Sequence, residues 1–168
     1  RRKPFVGAVV PAGYVAVQCT YFEKSASRNW LVPVHQDLSI PVAARVRSSE
    51  LRGWSEKEGS LFAQPPVPVL ESLIALRIHL DRCSQLDGPL QVLPGTHRQG
   101  RIEPERAREL RRRGPVVACL AVRGDALAMR PLLLHASSKA SGTSLRRVLH
   151  FLFGPADLPH GLRWPHAV

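Results

Sequence analysis

An imidazole and a carboxylate stand two positions apart in the apolar stretch VPVHQDLSIPV, residues 32–42. Side chains alternate between the two faces of a β-strand, so His35 and Asp37 point the same way and Gln36 points the other way. Imidazole and carboxylate groups are both ligands of divalent transition metals. The spacing therefore predicts part of a metal site on one face of a strand.

A second pair with the same spacing, His79 and Asp81, occurs in LRIHLD, so the motif alone does not identify the site. A facial iron site uses two histidines and one carboxylate and leaves its remaining positions open. The third ligand must then come from a distant strand. His135 closes the apolar run PLLLHAS, where a strand would deliver an imidazole to the mouth of a barrel.

Two adjacent arginines, Arg146 and Arg147, open the next apolar run, RRVLHFLF. A dicarboxylate bound to the metal would need a cation for its far carboxylate, and guanidinium binds carboxylate through two parallel hydrogen bonds. Neighbouring strand residues face opposite sides, so a register shift of one residue exchanges the roles of the two arginines. His150 shares the face of Arg146 and either lines the pocket or packs in the core.

Short apolar or alternating runs recur along the chain, and turn residues such as Asp87-Gly88-Pro89 and Pro94-Gly95 separate most of them. Many short strands with few helical stretches favour a mainly β fold, a sandwich or barrel of the jelly-roll type. One helix is predicted over residues 104–113, because Pro104 suits a first turn and Gly114-Pro115 ends it. Residues 47–70 are predicted to be an irregular segment, and a loop this long is a candidate lid.

The bulk composition predicts one soluble domain over residues 1–168. Apolar residues make up 44% and charged residues 22%, and no apolar run approaches the roughly 18 residues of a membrane span. Three widely spaced cysteines fit reduced thiols better than a disulfide framework, so we expect a cytoplasmic protein without a membrane anchor.

The net charge of +11 raises the question of an anionic partner. The densest basic run, RIEPERARELRRRG, carries three glutamates among its arginines, and helical spacing lets several of them pair. Few aromatic residues lie nearby to stack on bases, which disfavours nucleic acid as a partner.

Three segments, taken together and in this order, resemble the phytanoyl-CoA dioxygenase family of Fe(II)- and 2-oxoglutarate-dependent oxygenases. They are NWLVPVHQDL, LRIHLDRCSQLDGPLQVLPGTHRQGRI and GDALAMRPLLLHASSKASGTSLRRVLHFLF, and the resemblance covers nearly the whole chain. It implies a double-stranded β-helix, a cupin-like jelly roll with a few flanking helices. Such proteins commonly carry helices before the first barrel strands. Since only 34 residues precede His35, we expect a domain shortened at its N-terminus.

The family motif is His-x-Asp, a distal His, and an Arg after ten intervening residues. By this resemblance the iron ligands are His35, Asp37 and His135, and Arg146 anchors 2-oxoglutarate. The resemblance also suggests that Ser137 hydrogen-bonds a co-substrate carboxylate and that Arg77 borders the pocket. Five other residues receive structural or open interpretations. His79 and Asp81 lie at a strand end, with Asp81 accepting hydrogen bonds from the following turn. His97 lies in an ordered turn, and Trp54 and Trp164 pack against either substrate or core.

The implied reaction is hydroxylation of a small-molecule or acyl substrate by O2, with release of succinate and CO2. Asp37 favours hydroxylation, because related halogenases lack that carboxylate. The excess of arginine favours an anionic substrate, whereas the sequence predicts neither the substrate itself nor the oligomeric state. The alternative is a non-catalytic jelly-roll module that keeps the pocket but not turnover.

Overall fold

The computed structural model describes residues 5–143 and 145–165. Eleven strands, three α-helices and two short 3-10 helices form in these ranges. The α-helices are α1 (Phe5–Val9), α2 (Val67–Ser72) and α3 (Pro104–Arg113). The strands are β1 (Tyr14–Lys24), β2 (Val32–His35), β3 (Ile40–Pro41), β4 (Arg52–Lys57), β5 (Ser60–Gln64), β6 (Ile74–His79), β7 (Leu90–Val92), β8 (Val117–Cys119), β9 (Ala126–Met129), β10 (His135–Ser137) and β11 (Arg146–Pro155).

Two four-stranded antiparallel sheets form the double-stranded β-helix. The major sheet has the order β1-β11-β6-β9 and the minor sheet has the order β2-β10-β7-β8. The chain therefore alternates between the sheets as it winds, which is the jelly-roll arrangement. This architecture confirms the predicted fold class.

The register of the major sheet decides which side chains face the minor sheet. On β11, Arg146 lies opposite Lys24 of β1, and Val148 lies opposite His79 of β6. Because alternate residues share a face, Arg146, Val148 and His150 belong to one side of the sheet. Arg147 belongs to the other side.

The prediction that residues 47–70 form an irregular segment was wrong. Strands β4 and β5 form a hairpin there, and β5 also pairs with β3 in a small third sheet. The two turn residues, Glu58 and Gly59, have φ values of 50° and 75°, the positive values that tight hairpin turns use. Ala63 in β5 and Leu70 in α2 are completely buried in the largest apolar cluster.

Helix α3 covers the predicted residues 104–113, and its charges pair along the exposed surface. Arg106 and Arg113 both contact Glu109, at 2.7 and 3.0 Å, and Arg108 contacts Glu105 at 2.7 Å. Ala107 faces the interior and is buried. None of the helices in residues 5–143 and 145–165 has the length and apolar character needed to cross a membrane.

Candidate metal and anion site

His35 ends β2, and Asp37, two residues beyond it, lies on the same side because Gln36 is held on the other side. The Gln36 Nε2 donates hydrogen bonds to the backbone oxygens of Gly100 and Leu132, at 2.8 and 2.7 Å. Its Oε1 accepts one from the Ile102 backbone N–H at 2.8 Å. The buried amide is thus fully engaged with neighbouring loops, and it fixes the direction of the side chains on either side.

Strand β10 places His135 directly opposite His35, with ring centroids 4.2 Å apart. The Nε2 atoms of His35 and His135 each lie 3.6 Å from a carboxylate oxygen of Asp37. Potential ligand atoms of all three residues lie within 4.8 Å of one another. Residues that are 100 positions apart in the sequence therefore converge on one point, as the resemblance predicted for a metal site; their role as ligands stays a prediction.

The hydrogen bonds of the two imidazoles fit a divalent metal. The Nδ1 of His35 lies 2.8 Å from the Pro33 carbonyl oxygen, and the Nδ1 of His135 lies 2.8 Å from the Leu133 carbonyl oxygen. A carbonyl only accepts, so each Nδ1 carries the proton and donates. In the neutral form of either imidazole, the electron pair of Nε2 is then free for a metal, and both Nε2 atoms face Asp37. Hydrogen bonds of this kind, made by the ring nitrogen that does not bind the metal, orient metal-binding histidines.

The electrostatics favour an ionised Asp37 and a neutral His135, whereas the contact with Asp37 favours the protonated form of His35. Burial raises the pKa of Asp37, but the hydrogen bond from His35 and the nearby His135 outweigh it and lower the pKa to about 2. Burial lowers the pKa of His135, whereas the contact with Asp37 raises that of His35. The His135 side chain is only 7% exposed, while those of His35 and Asp37 are 39% and 38% exposed. The cluster therefore has one buried and one open side.

The second His-x-Asp pair does not form such a cluster. His79 ends β6 inside the fold, where it is buried and its Nδ1 has no partner among the described residues. Asp81 instead receives the Arg147 guanidinium, with Nε and Nη2 at 2.8 and 2.9 Å, and the Arg147 backbone N–H at 3.0 Å. Asp81 thus accepts hydrogen bonds from Arg147 in an outward-facing ion pair, rather than from the following turn as expected.

Arg146 lies between the sheets, on the side opposite to Arg147. It is 4% exposed, its Nη1 donates to the Gly88 carbonyl oxygen at 2.7 Å, and its Nε has no partner among the described residues. Ser137 is buried nearby and donates to the same Gly88 oxygen at 3.0 Å. The two residues proposed to hold a co-substrate carboxylate therefore share one backbone acceptor.

Gly88 is required at that position by its backbone and by its neighbours. Its φ of 60° lies in the left-handed region, and a Cβ atom would stand 2.5 Å from the Ser138 carbonyl oxygen. The absence of a side chain lets the turn before β7 approach the segment after β10. This close approach places the Gly88 carbonyl between Ser137 and Arg146.

Arg77 extends across the inner face of the major sheet. Its Nη1 lies 3.1 Å from the Nδ1 of His150, and its guanidinium carbon lies 5.4 Å from the centroid of Phe22. Burial and the nearby Arg77 lower the pKa of His150 to about 4, so this imidazole is neutral and its Nδ1 accepts. Burial and Arg146 lower the pKa of Arg77 to about 10, and its Nε has no partner among the described residues.

The remaining candidates lie outside the cluster. His97 is in the short 3-10 helix Thr96–Gln99, consistent with the predicted ordered turn. Trp54 and Trp164 both pack against the largest apolar core, and the Trp164 indole donates to the Pro155 carbonyl oxygen at 2.8 Å. Of their two possible roles, the structure therefore shows contact with the core.

Lys24 is a residue of this region that sequence reasoning missed. It ends β1, is fully buried, and donates hydrogen bonds to the Ser137 hydroxyl at 2.5 Å and to the Ser138 carbonyl oxygen. Strand alternation places Lys24 on the same face as Phe22, and this pattern in the sequence already indicates that Lys24 faces the interior. Its proximity to Arg146 depends on the pairing of β1 with β11, which the sequence does not reveal.

Comparison with known proteins places this fold in a family. The sequence matches the phytanoyl-CoA dioxygenase (PhyH) family over residues 7–148. No curated protein matches it significantly.

Solved structures show the same fold at low sequence identity. The non-heme alpha-ketoglutarate-dependent carbocyclase SnoK from nogalamycin biosynthesis superposes with a TM-score of 0.61 at 17% identity, over 86% of this chain and 51% of SnoK. EctD from S. alaskensis with bound Fe superposes with a TM-score of 0.59 at 17% identity, over 86% of this chain and 46% of EctD. HygX from Streptomyces hygroscopicus with nickel and 2-oxoglutarate bound superposes with a TM-score of 0.54 at 16% identity, over 84% of this chain and 56% of HygX. The chain thus spans about half the length of these proteins.

Proposed function

Because the chain belongs to the phytanoyl-CoA dioxygenase family, we propose that it is an Fe(II)- and 2-oxoglutarate-dependent dioxygenase that hydroxylates a small-molecule or acyl substrate. Substrate, O2 and 2-oxoglutarate would yield hydroxylated product, succinate and CO2. The observation that carries the proposal is the convergence of His35, Asp37 and His135, with both Nδ1 atoms hydrogen-bonded to backbone carbonyls and both Nε2 atoms facing Asp37.

In this proposal the three side chains hold Fe(II), which together with 2-oxoglutarate supplies the oxidising chemistry that protein side chains lack. Arg146 binds the distal carboxylate of 2-oxoglutarate, and Ser137 donates a hydrogen bond to it. Arg77 borders the same space. These groups exclude water and fix the orientation of the co-substrate, since Arg146 and Ser137 are 4% exposed and Arg77 is 7% exposed.

The inner face is strongly cationic, which supports an anionic substrate. Lys24, Arg77 and Arg146 are all buried on it, and none makes an ion pair with a carboxylate of residues 5–143 and 145–165. A buried cation is costly unless an anion compensates it. One distal carboxylate compensates part of this charge, and a carboxylate or phosphate on the substrate would compensate more.

Metal-loaded protein should convert 2-oxoglutarate to succinate slowly without substrate. The test compares the unmodified protein with His35→Ala, which removes a ligand, and with His79→Ala, which removes a buried histidine elsewhere. We expect succinate from the unmodified protein and His79→Ala, and none above background from His35→Ala. Metal and co-substrate binding without succinate would favour the non-catalytic module instead.

The reaction class needs a separate measurement, because SnoK is described as a carbocyclase. Once a substrate is found, mass spectrometry distinguishes the two outcomes. Hydroxylation adds one oxygen atom to the substrate, whereas ring closure removes two hydrogen atoms. Loss of hydrogen without gain of oxygen would refute the hydroxylase assignment while preserving the oxygenase one.

A further inference from the structure

Lys24 is a cation with no carboxylate partner among the residues that the structure describes. Its side chain is completely buried, and its Nζ donates to two neutral oxygens, the Ser137 hydroxyl and the Ser138 carbonyl. The Trp30 ring covers it, with its centroid 5.8 Å from Nζ. Desolvating an ammonium group costs several kcal/mol, on the order of the net stability of a domain, so neutral partners compensate it only partly.

The strand register places this cation beside a second one. Lys24 lies directly opposite Arg146 in the pairing of β1 with β11, on the side facing the minor sheet. Ser137 links them, because its hydroxyl accepts from Lys24 and donates to the Gly88 oxygen that Arg146 also contacts. The pocket therefore presents an ammonium, a hydroxyl and a guanidinium with an unpartnered Nε to the same small space.

We infer that Lys24 is a second cation for the distal carboxylate of 2-oxoglutarate, acting together with Arg146. This inference rests on the proposed function. A carboxylate has two oxygens and about four acceptor positions, enough for a guanidinium, a hydroxyl and an ammonium together. Binding compensates both buried charges at once, so Lys24 contributes to the preference for a dicarboxylate over a monocarboxylic 2-oxo acid.

The electrostatics agree with this geometry. Burial, followed by Arg146 and Arg77, lowers the pKa of Lys24 to about 8. A bound carboxylate would have the opposite effect and favour the ammonium form. Without a bound anion the pKa of Lys24 therefore stays below its usual value, and an anionic ligand would raise it.

The competing explanation is that Lys24 is only a structural tie between β1 and the segment after β10. Two substitutions separate the explanations. Lys24→Gln keeps a hydrogen-bond donor for Ser137 and Ser138 but removes the charge. Lys24→Arg keeps the charge. Arg147→Gln is the matched control, since it changes a cation one position from Arg146 that faces outward to Asp81.

The experiment is calorimetric titration of Fe(II)-loaded protein under anaerobic conditions with 2-oxoglutarate and with 2-oxovalerate, which has the same carbon chain but no distal carboxylate. Lys24→Gln should weaken 2-oxoglutarate binding on the order of 10- to 100-fold, as expected for a charged hydrogen bond. Binding of 2-oxovalerate should change little. Lys24→Arg should retain most of the preference for 2-oxoglutarate, and Arg147→Gln all of it.

Unchanged 2-oxoglutarate affinity in Lys24→Gln, or an equal loss for both ligands, would overturn the inference in favour of a structural tie. Unmodified protein that binds the two ligands equally would also overturn it. If the unmodified protein binds metal but neither ligand, the proposed function itself fails. Thermal unfolding verifies that each variant is folded, and Lys24→Met replaces Lys24→Gln in the comparison if the glutamine variant is not.

Discussion

The two His-x-Asp segments have the same spacing and lie at the ends of β2 and β6, yet their surroundings differ completely. His35 and Asp37 meet His135, because β10 pairs with β2 and supplies a second imidazole. The second pair is divided between the inside and the outside, with Asp81 paired to Arg147. The comparison teaches that the chemistry of a short motif is decided by what the neighbouring strand supplies.

The largest expected effect separates these two segments by metal affinity. His35→Ala, Asp37→Ala and His135→Ala should each lower Fe(II) affinity more than the roughly 10- to 100-fold typical of changes beyond the direct ligands. His79→Ala should bind Fe(II) like the unmodified protein, because its side chain is not in the cluster. Anaerobic equilibrium dialysis with metal analysis measures this. Loss of metal in His79→Ala, with retention in His35→Ala, would reverse the assignment.

The next effect contrasts the neighbouring arginines. Arg146→Ala should weaken 2-oxoglutarate binding to the iron-loaded protein by about 2 to 5 kcal/mol, the usual cost of losing a buried charge partner. Arg146→Lys should lose less, because it keeps the charge but not the planar fork. Arg147→Ala should leave affinity within about twofold, as for a surface change. Iron binding should survive in all three, and a larger loss in Arg147→Ala would indicate a shifted register.

A third effect contrasts two glycines that both have positive φ. In Gly88→Ala, backbone strain alone should lower the free energy of unfolding by roughly 1 to 3 kcal/mol. The clash of the new Cβ with the Ser138 oxygen should add a further loss. Gly59→Ala carries the strain alone, since nothing lies within 4 Å of its Cβ position. Urea unfolding measures both, and equal losses would show that the turn at Gly88 can move away.

The smallest expected effect is the pH dependence of ligand preference. Lys24 has a pKa of about 8, so the preference for 2-oxoglutarate over 2-oxovalerate should be greatest below pH 8 and decline as the pH rises through it. Two arginines face Lys24: Arg77 from β6, with a pKa of about 10, and Arg146 from β11, whose pKa burial lowers. Burial raises the pKa of the nearby Cys83 thiol. Titrations from pH 7 to 9 should show no such decline in Lys24→Gln; parallel profiles would contradict the role of Lys24.

Local signals explain what the sequence predicted well. The runs around β1, β2, β6, β7 and β8–β11 alternate or end at turn residues, and α3 has proline at its start and glycine after its end. These features act over a few residues, so they can be recognised without knowing the fold. The opposite sides of Arg146 and Arg147 follow from the same alternation.

Long-range pairing explains most of what was missed. Residues alone left two His-x-Asp pairs and two arginines open, and the family resemblance was needed to choose between them. Lys24 was overlooked because its neighbour Arg146 is 122 positions away. The hairpin of β4 and β5 was mistaken for a loop, although Glu58-Gly59 between short alternating runs is a turn signal.

The most direct test of the central claim is an anaerobic titration of the protein with Fe(II) and then with 2-oxoglutarate, followed by the metal-to-ligand absorption band. We predict one equivalent of each, with the band present in His79→Ala and absent in His135→Ala. Absence of the band in the unmodified protein, or a band of full intensity in His135→Ala, would contradict the account.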